Sequence, residues 1–323
     1  MADRFTRRSL LCSTAGATAL AACGAVGSAE SDPVEGSPER SWPEELFKIS
    51  LAQWSLHRAF YGSGGVTRLS ALDFPKVARR RFDIDAVEYV NVFYTDKVSD
   101  RSYLEELKSI ADGEGVKSLL IMCDDEGRLG APDVVERERS VANHFKWVEM
   151  ATLLGCHSIR VDAYSEGEPT EQAKLVADGL NQLADYTRQF GMSVLVENHG
   201  GLSSDAGWLA KVMEFAADEL VGTLPDFGNF RIGGDQFYDP YKGVQELMPF
   251  AKAVSAKTYG FNSDGGERSL DYVRLMRSVM DAGYRGYVGI EYEGESLSED
   301  EGILKTKLLL ERIRNQLAPD YLK

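Results

Sequence analysis

The chain has 323 residues but only four cysteines and four histidines. Cys12 and Cys23 lie near the N-terminus, which leaves Cys123 and Cys156 in the body. Two cysteines build no disulfide framework, and the absence of any CxxC pair removes the usual zinc motifs. Both are expected to be small buried hydrophobes. Positive charge is also short: 36 Lys and Arg stand against 51 Asp and Glu, a net charge of −15. Such a surface repels phosphate backbones, so nucleic acid is not an expected partner. A Gly-rich phosphate turn is missing after the first candidate strand, which runs on as Ala52-Gln53-Trp54-Ser55-Leu56-His57. Gly62-Ser63-Gly64-Gly65 has no strand–turn–helix context and reads as a loop. That argues against an open doubly wound sheet.

The N-terminus reads as a targeting segment. Arg7-Arg8 precedes a mild run rich in Ala, Gly and Thr that ends Leu20-Ala21-Ala22-Cys23. The twin arginine resembles a twin-arginine export signal, and small residues before a cysteine resemble a lipobox. Residues 9–22 are too few for a membrane span, which takes about 20 apolar residues. The expected organisation is a signal peptide over 1–22, a flexible polar linker over 23–45 and a single domain over 46–323. The protein would then be exported to the cell envelope or periplasm and held at a membrane surface through a lipidated Cys23.

Hydrophobic residues make up 43% of the chain, enough for a sizeable core. From residue 46 on, short β-branched runs alternate with amphipathic stretches. Strands are predicted at 47–52, 86–90, 118–122, 158–161, 193–196, 222–224, 253–256 and 287–290. Helical spacing of apolar residues marks 102–114, 170–190, 205–219 and 269–282. Ser203 or Ser204 is the expected cap of the helix around Trp208, and Gly155, Gly191 and Gly283 each stand where a helix ends before a strand. Eight βα units predict a closed (β/α)8 TIM barrel, a fold in which about 250 residues make one domain.

In such a barrel the chemistry sits at the C-terminal ends of the strands. The strand ends here carry Gln53, Trp54 and His57; Glu88 and Asn91; Asp124, Asp125 and Glu126; Arg160 and Asp162; Glu197, Asn198 and His199; Asp226 and Asn229; Lys257 and Tyr259; Glu291 and Glu293. Charges at buried strand ends are costly unless paired or bound to metal. Glu197, Asp226 and Glu291 can converge on one divalent cation, and oxygen donors favour magnesium or manganese, with zinc or cobalt as further options. Two of these carboxylates can remove and return a proton next to a carbonyl. The competing reading pairs some of them with Arg160 or Lys257. Trp54, Tyr94, Phe227, Tyr259 and Tyr292 are candidates for stacking on a sugar ring or for core packing. His144 and His157 are expected to be structural.

The segments LVENHGG, VGTLPDFGNF, AVSAKTYGF and GYVGIEYEG resemble the sugar phosphate isomerase/epimerase family, with its xylose isomerase-like TIM barrel, over roughly residues 46–316. The resemblance implies a divalent metal held by Glu197, Asp226 and Glu291, with Glu197 and Glu291 as the proton-shuttling pair. The family's strand-7 histidine does not carry over, because Ser255-Ala256-Lys257-Thr258 stands at that place. The metal then has three protein ligands and waters, or His199 as a fourth ligand, or is replaced by the charge of Lys257. Lys257 is also a candidate for steadying an enediolate oxygen. His57, Glu88, Arg160, His199 and Asn229 are the expected substrate-binding residues.

The expected activity is a metal-assisted isomerase or epimerase of a sugar or keto-sugar. Export and the lack of a basic phosphate site speak against a phosphorylated substrate. The alternatives are a lyase or dehydratase on a 3-keto-glycoside or inosose-like substrate, and a non-catalytic sugar-binding lipoprotein. The superfamily's endonuclease arm needs many more metal-ligating histidines than this chain has.

Overall fold

The computed structural model describes residues 45–65 and 67–322. The expected signal peptide, Cys23 and the linker up to residue 44 lie outside the described residues. Eight strands form one parallel sheet: β1 Lys48–Ala52, β2 Ala86–Val90, β3 Lys117–Cys123, β4 Ser158–Val161, β5 Ser193–Glu197, β6 Val221–Leu224, β7 Val254–Thr258 and β8 Tyr287–Tyr292. Their order is β6-β5-β4-β3-β2-β1-β8-β7. The seam between β6 and β7 has no continuous ladder, but the parallel bridges Thr223–Ala251 and Asp226–Ser255 close it. The barrel is therefore complete, and its last closure lies beside one of the candidate carboxylates.

The outer layer consists of α1 Phe74–Phe82, α2 Arg101–Glu114, α3 Val134–Leu154, α4 Pro169–Thr187, α5 Ala206–Ala216, α6 Pro240–Leu247, α7 Tyr272–Asp281 and α8 Glu299–Tyr321. Two cores result. One lies between helices and sheet, around buried Trp147, Phe47, Phe74 and Phe82. The smaller lies inside the barrel, where Ala52, Val90, Leu120, Met122, Leu195, Leu224 and Ala253 meet. Apolar side chains thus share the interior with a buried polar pair, Ser50 and Glu88, and Val90 and Met122 reach up to the cavity at the barrel mouth.

Part of the acidic excess is spent on helix starts. Asp100, Asp133, Asp205, Asp239 and Asp271 each accept a backbone N–H of the helix they cap. A carboxylate there satisfies an orphan donor and meets the positive helix end. The cap of α5 is therefore Asp205, not Ser203 or Ser204. Those hydroxyls instead accept the amides of His199 and Gly200, both at 2.9 Å, and so shape the turn after β5. Gly155, Gly191 and Gly283 have φ of 81°, 62° and 81°, as the helix-to-strand turns require. A short hairpin, Arg231–Gly233 with Gln236–Phe237, and a one-turn helix, His57–Tyr61, were not legible in the periodicity.

Candidate functional site at the barrel mouth

Strand side chains alternate in direction, so every second residue of a barrel strand faces the interior. On β8 that set is Gly289 and Glu291, with Glu293 just past the strand end; on β7 it is Ser255 and Lys257. The register pairs Ser255 with Gly289 and Lys257 with Glu291. Glu197 ends β5, and Asp226 follows β6. Glu197, Asp226 and Glu291 each offer an oxygen, all within 4.8 Å of one another. They are 1%, 0% and 4% exposed.

Carboxylates this buried need partners. Glu197 accepts Asn229 Nδ2 at 2.9 Å and lies 2.8 Å from Arg160 Nε. That second contact is off hydrogen-bond geometry, so Glu197 Oε2 has no hydrogen-bond partner. Asp226 accepts the backbone amides of Gly228 and Asn229 at 2.8 and 2.9 Å and Ser255 Oγ at 2.5 Å. Ser255 Oγ is also 3.2 Å from Glu291 Oε2. Lys257 Nζ lies 3.1 Å from Glu291 and 3.4 Å from Glu293. Asn198 fixes the turn after β6: its Oδ1 accepts Asp226 N at 2.8 Å, and its Nδ2 donates to Asp226 O at 2.9 Å.

The protonation landscape is uneven. Burial, with Glu197 and Glu291 nearby, pushes Asp226 up to about 8 despite Lys257. Burial also raises Glu291. Glu197 moves the other way: burial would raise it, but Arg160, His199 and Lys257 outweigh that. Paired carboxyls pushed apart in this way are suited to opposite halves of a proton transfer.

A cavity of about 250 Å3 opens above the cluster, walled in part by Trp54, Asp124, Arg160, Asp162, His199, Glu291 and Glu293. Its size suits a ligand smaller than those of the roughly 300–1,000 Å3 drug-sized pockets. Larger hollows exist on the helical flank and at the opposite end of the barrel, away from the carboxylates. A second group, Asp124, Asp162 and His199, stands at the rim. His199 Nδ1 is 3.1 Å from Asp162 Oδ1, and this contact, with Glu197 close by, raises its pKa to about 9.

The expected substrate-binding residues separate into layers. Arg160 and His199 reach the cavity wall. Glu88 does not: it is 2% exposed, bonded to Ser50 Oγ at 2.6 Å, and occupies space left by Gly289 inside the barrel. Asn229 holds Glu197. His57 stacks behind Trp54 with ring centroids 5.0 Å apart. His199 joins the rim group, not the three-carboxylate group, so it is not a fourth member of the latter. Tyr94, Phe227 and Tyr292 are fully buried core residues, whereas Trp54 lines the cavity. His144 is buried against Ser140 O at 2.8 Å, in keeping with a structural role. Asp124, Asp162 and Glu293 stood at predicted strand ends, but only the folded barrel turns them into the cavity.

The chain belongs to the xylose isomerase-like TIM barrel family, whose pattern matches residues 78–314. Among solved structures, it is similar to a 3-keto-D-glucoside 4-epimerase from E. coli, with TM-score 0.64 and 15% identity over 82% of this chain and 99% of that one. It is also similar to a xylose isomerase-like TIM barrel protein from Mycobacterium smegmatis in complex with magnesium, with TM-score 0.62 and 17% identity over 84% of this chain and 98% of that one. Identities this low speak for the fold alone. Among curated proteins, the alpha subunit of a 3'-dehydrocarminate deglycosidase from Microbacterium sp. is 42% identical over 48 residues, which cover 15% of this chain and 14% of that protein. The matched stretches span 14% to 20% of the curated relatives' own lengths.

Proposed function

We propose that this chain is an isomerase or epimerase of an uncharged keto-sugar, working by proton abstraction and return next to the carbonyl. The observation that carries the reading is the convergence of Glu197, Asp226 and Glu291 within 4.8 Å at the C-terminal end of the barrel. The donor set fits a divalent cation. It is all oxygen, it keeps a buried carboxylate oxygen without a hydrogen-bond partner, and it concentrates negative charge that a cation would relieve. Glu197, Asp226 and Glu291 would hold magnesium or manganese, which when bound polarises a substrate oxygen.

The protein's own groups divide the remaining work. Glu291 faces the cavity and is placed to exchange a proton with a bound sugar. Glu197, the more acidic of the two glutamates, is its partner in the same cluster. Lys257 steadies negative charge beside Glu291. Five carboxylates line the cavity, against Arg160 and His199 as cations, both already paired. Among the described residues a phosphorylated sugar finds no free cation there, which supports a neutral substrate.

A second reading rests on the deglycosidase relative. On a 3-keto-glycoside, removal of the C2 proton forms an enolate. The enolate expels the C1 oxygen, giving a C1=C2 double bond and a protonated aglycone. Epimerisation returns the proton and keeps the aglycone. We further propose that the N-terminal segment is an export signal and that Cys23 is lipidated, testable by mass spectrometry of the membrane fraction.

The decisive assay incubates the protein and Mg2+ or Mn2+ with 4-nitrophenyl 3-keto-β-D-glucopyranoside in D2O. Deuterium entering the ring without 4-nitrophenol release supports the epimerase. Release supports the lyase. Reversible binding with neither outcome, unchanged in a Glu197→Gln/Glu291→Gln protein, would leave a sugar-binding protein and end the enzymatic reading.

A further inference from the structure

Two aromatic side chains, Trp54 and Tyr164, line the cavity, and a single carboxylate ties Trp54 to the charged floor. Trp54 follows β1 and is half-buried at the cavity edge. Its position is fixed on two sides. His57 stacks on it with an interplanar angle of 20°, and its Nε1–H donates to Glu293 Oε1. The other carboxylate oxygen of Glu293 lies 3.4 Å from Lys257 Nζ. Glu293 follows β8, two residues beyond Glu291, and lines the same cavity. One carboxylate therefore connects the indole to the ammonium beside the candidate acid–base group. A Trp N–H in a half-buried place needs an acceptor, and a charged acceptor holds it more tightly than a neutral one.

We infer that Trp54 is the stacking platform for the pyranose ring, and that Glu293 is a positioning residue setting both the indole plane and Lys257. The inference rests on the keto-sugar reading above and adds to it a substrate with an apolar C–H face, such as a β-gluco-configured pyranoside. The polar rim of Asp124, Asp162 and His199 then receives hydroxyls. His57, Tyr61 and Phe93 act as backing, with Tyr61 and Phe93 each 6.3 Å from the Trp54 ring.

The test uses the full chain with methyl 3-keto-β-D-glucopyranoside, read by ring deuterium exchange and by tryptophan emission. Trp147 and Trp208 are 0% and 7% exposed, and the fourth tryptophan, Trp42, is replaced by phenylalanine in every protein compared, so a sugar-dependent emission change is expected to come from Trp54. It should vanish in Trp54→Phe. Trp54→Ala should raise KM at least tenfold with kcat changed less than threefold. Glu293→Gln keeps an acceptor for the indole but loses the charge beside Lys257, so kcat should fall at least tenfold while KM stays within threefold. Glu293→Ala should change both. The platform is overturned if Trp54→Ala, with an unchanged melting temperature, keeps its KM within twofold. If Trp54→Ala does not fold, an undiminished emission change in Trp54→Phe overturns it instead. A Glu293→Gln protein with wild-type kcat removes the positioning role. Wild-type protein that neither exchanges deuterium nor responds in emission sinks the keto-sugar reading itself, and the platform with it.

Discussion

Replacing Glu88 by glutamine should stabilise the protein at pH 8 and not at pH 4.5. Glu88 is 2% exposed inside the barrel, with Ser50 as its hydrogen-bond partner and Oε2 without one. Burial lifts its pKa from 4.5 to about 7, against the Ser50 bond, with Glu291 and Glu197 adding to the rise. A carboxyl whose folded pKa is raised favours the protonated native state. The penalty is absent below the unfolded value, grows as pH rises from 4.5 towards 7, and is constant above. At about 1.4 kcal/mol per pH unit, that gap is worth about 3 kcal/mol. Glutamine keeps an acceptor for Ser50 but adds an amide needing its own acceptor, a cost of about 1 kcal/mol or more. The net expectation is a gain of about 1–2 kcal/mol at pH 8, a few degrees in melting temperature. Urea titrations of both proteins at pH 4.5, 6 and 8, with EDTA present throughout, give the difference at each pH. A difference independent of pH would refute the linkage argument, whatever its size.

Three further outcomes follow from the same cluster. Lys257→Met leaves Glu291 and Glu293 without their ammonium and should cost about 3–5 kcal/mol at pH 8, measured by urea unfolding, as breaking a buried ion pair does. Gly289→Ala places a Cβ 2.7 Å from Glu88 Oε1, so it should destabilise by about 1–3 kcal/mol. Most of that loss should disappear in a Glu88→Ala background, measured by a double-mutant cycle of melting curves. Ser255→His adds an imidazole between Asp226 and Glu291 and should raise zinc affinity relative to magnesium at least tenfold in calorimetric titrations. Equal selectivity in the two proteins would contradict a metal at these carboxylates.

The strand-and-helix rhythm was legible because each barrel unit repeats local signals: β-branched runs, amphipathic helices, and glycine at positive φ. The cap of α5 was misplaced by one or two residues because Ser203, Ser204 and Asp205 are all competent caps. Only the turn geometry after β5 hands the serines to His199 and Gly200. The hairpin at 231–237 and the one-turn helix at 57–61 are too short for periodicity to mark. The convergence of Glu197, Asp226 and Glu291 is legible from their places at strand ends. The roles of their neighbours are not. Glu88 lies within β2, and Asn229 and His57 follow strands, yet one is below the cluster, one braces a carboxylate and one backs an indole.

By itself the sequence determined the barrel and the list of charged residues at its mouth, because alternation and helical spacing are local properties of the chain. Which of those charges meet was decided by closure. Register across β7 and β8 set Lys257 against Glu291, and the bridge between Asp226 and Ser255 sealed the barrel at the site. Contacts such as Trp54 with Glu293 join residues from opposite ends of the chain. No local pattern encodes them, since they exist only once the first and last strands lie side by side.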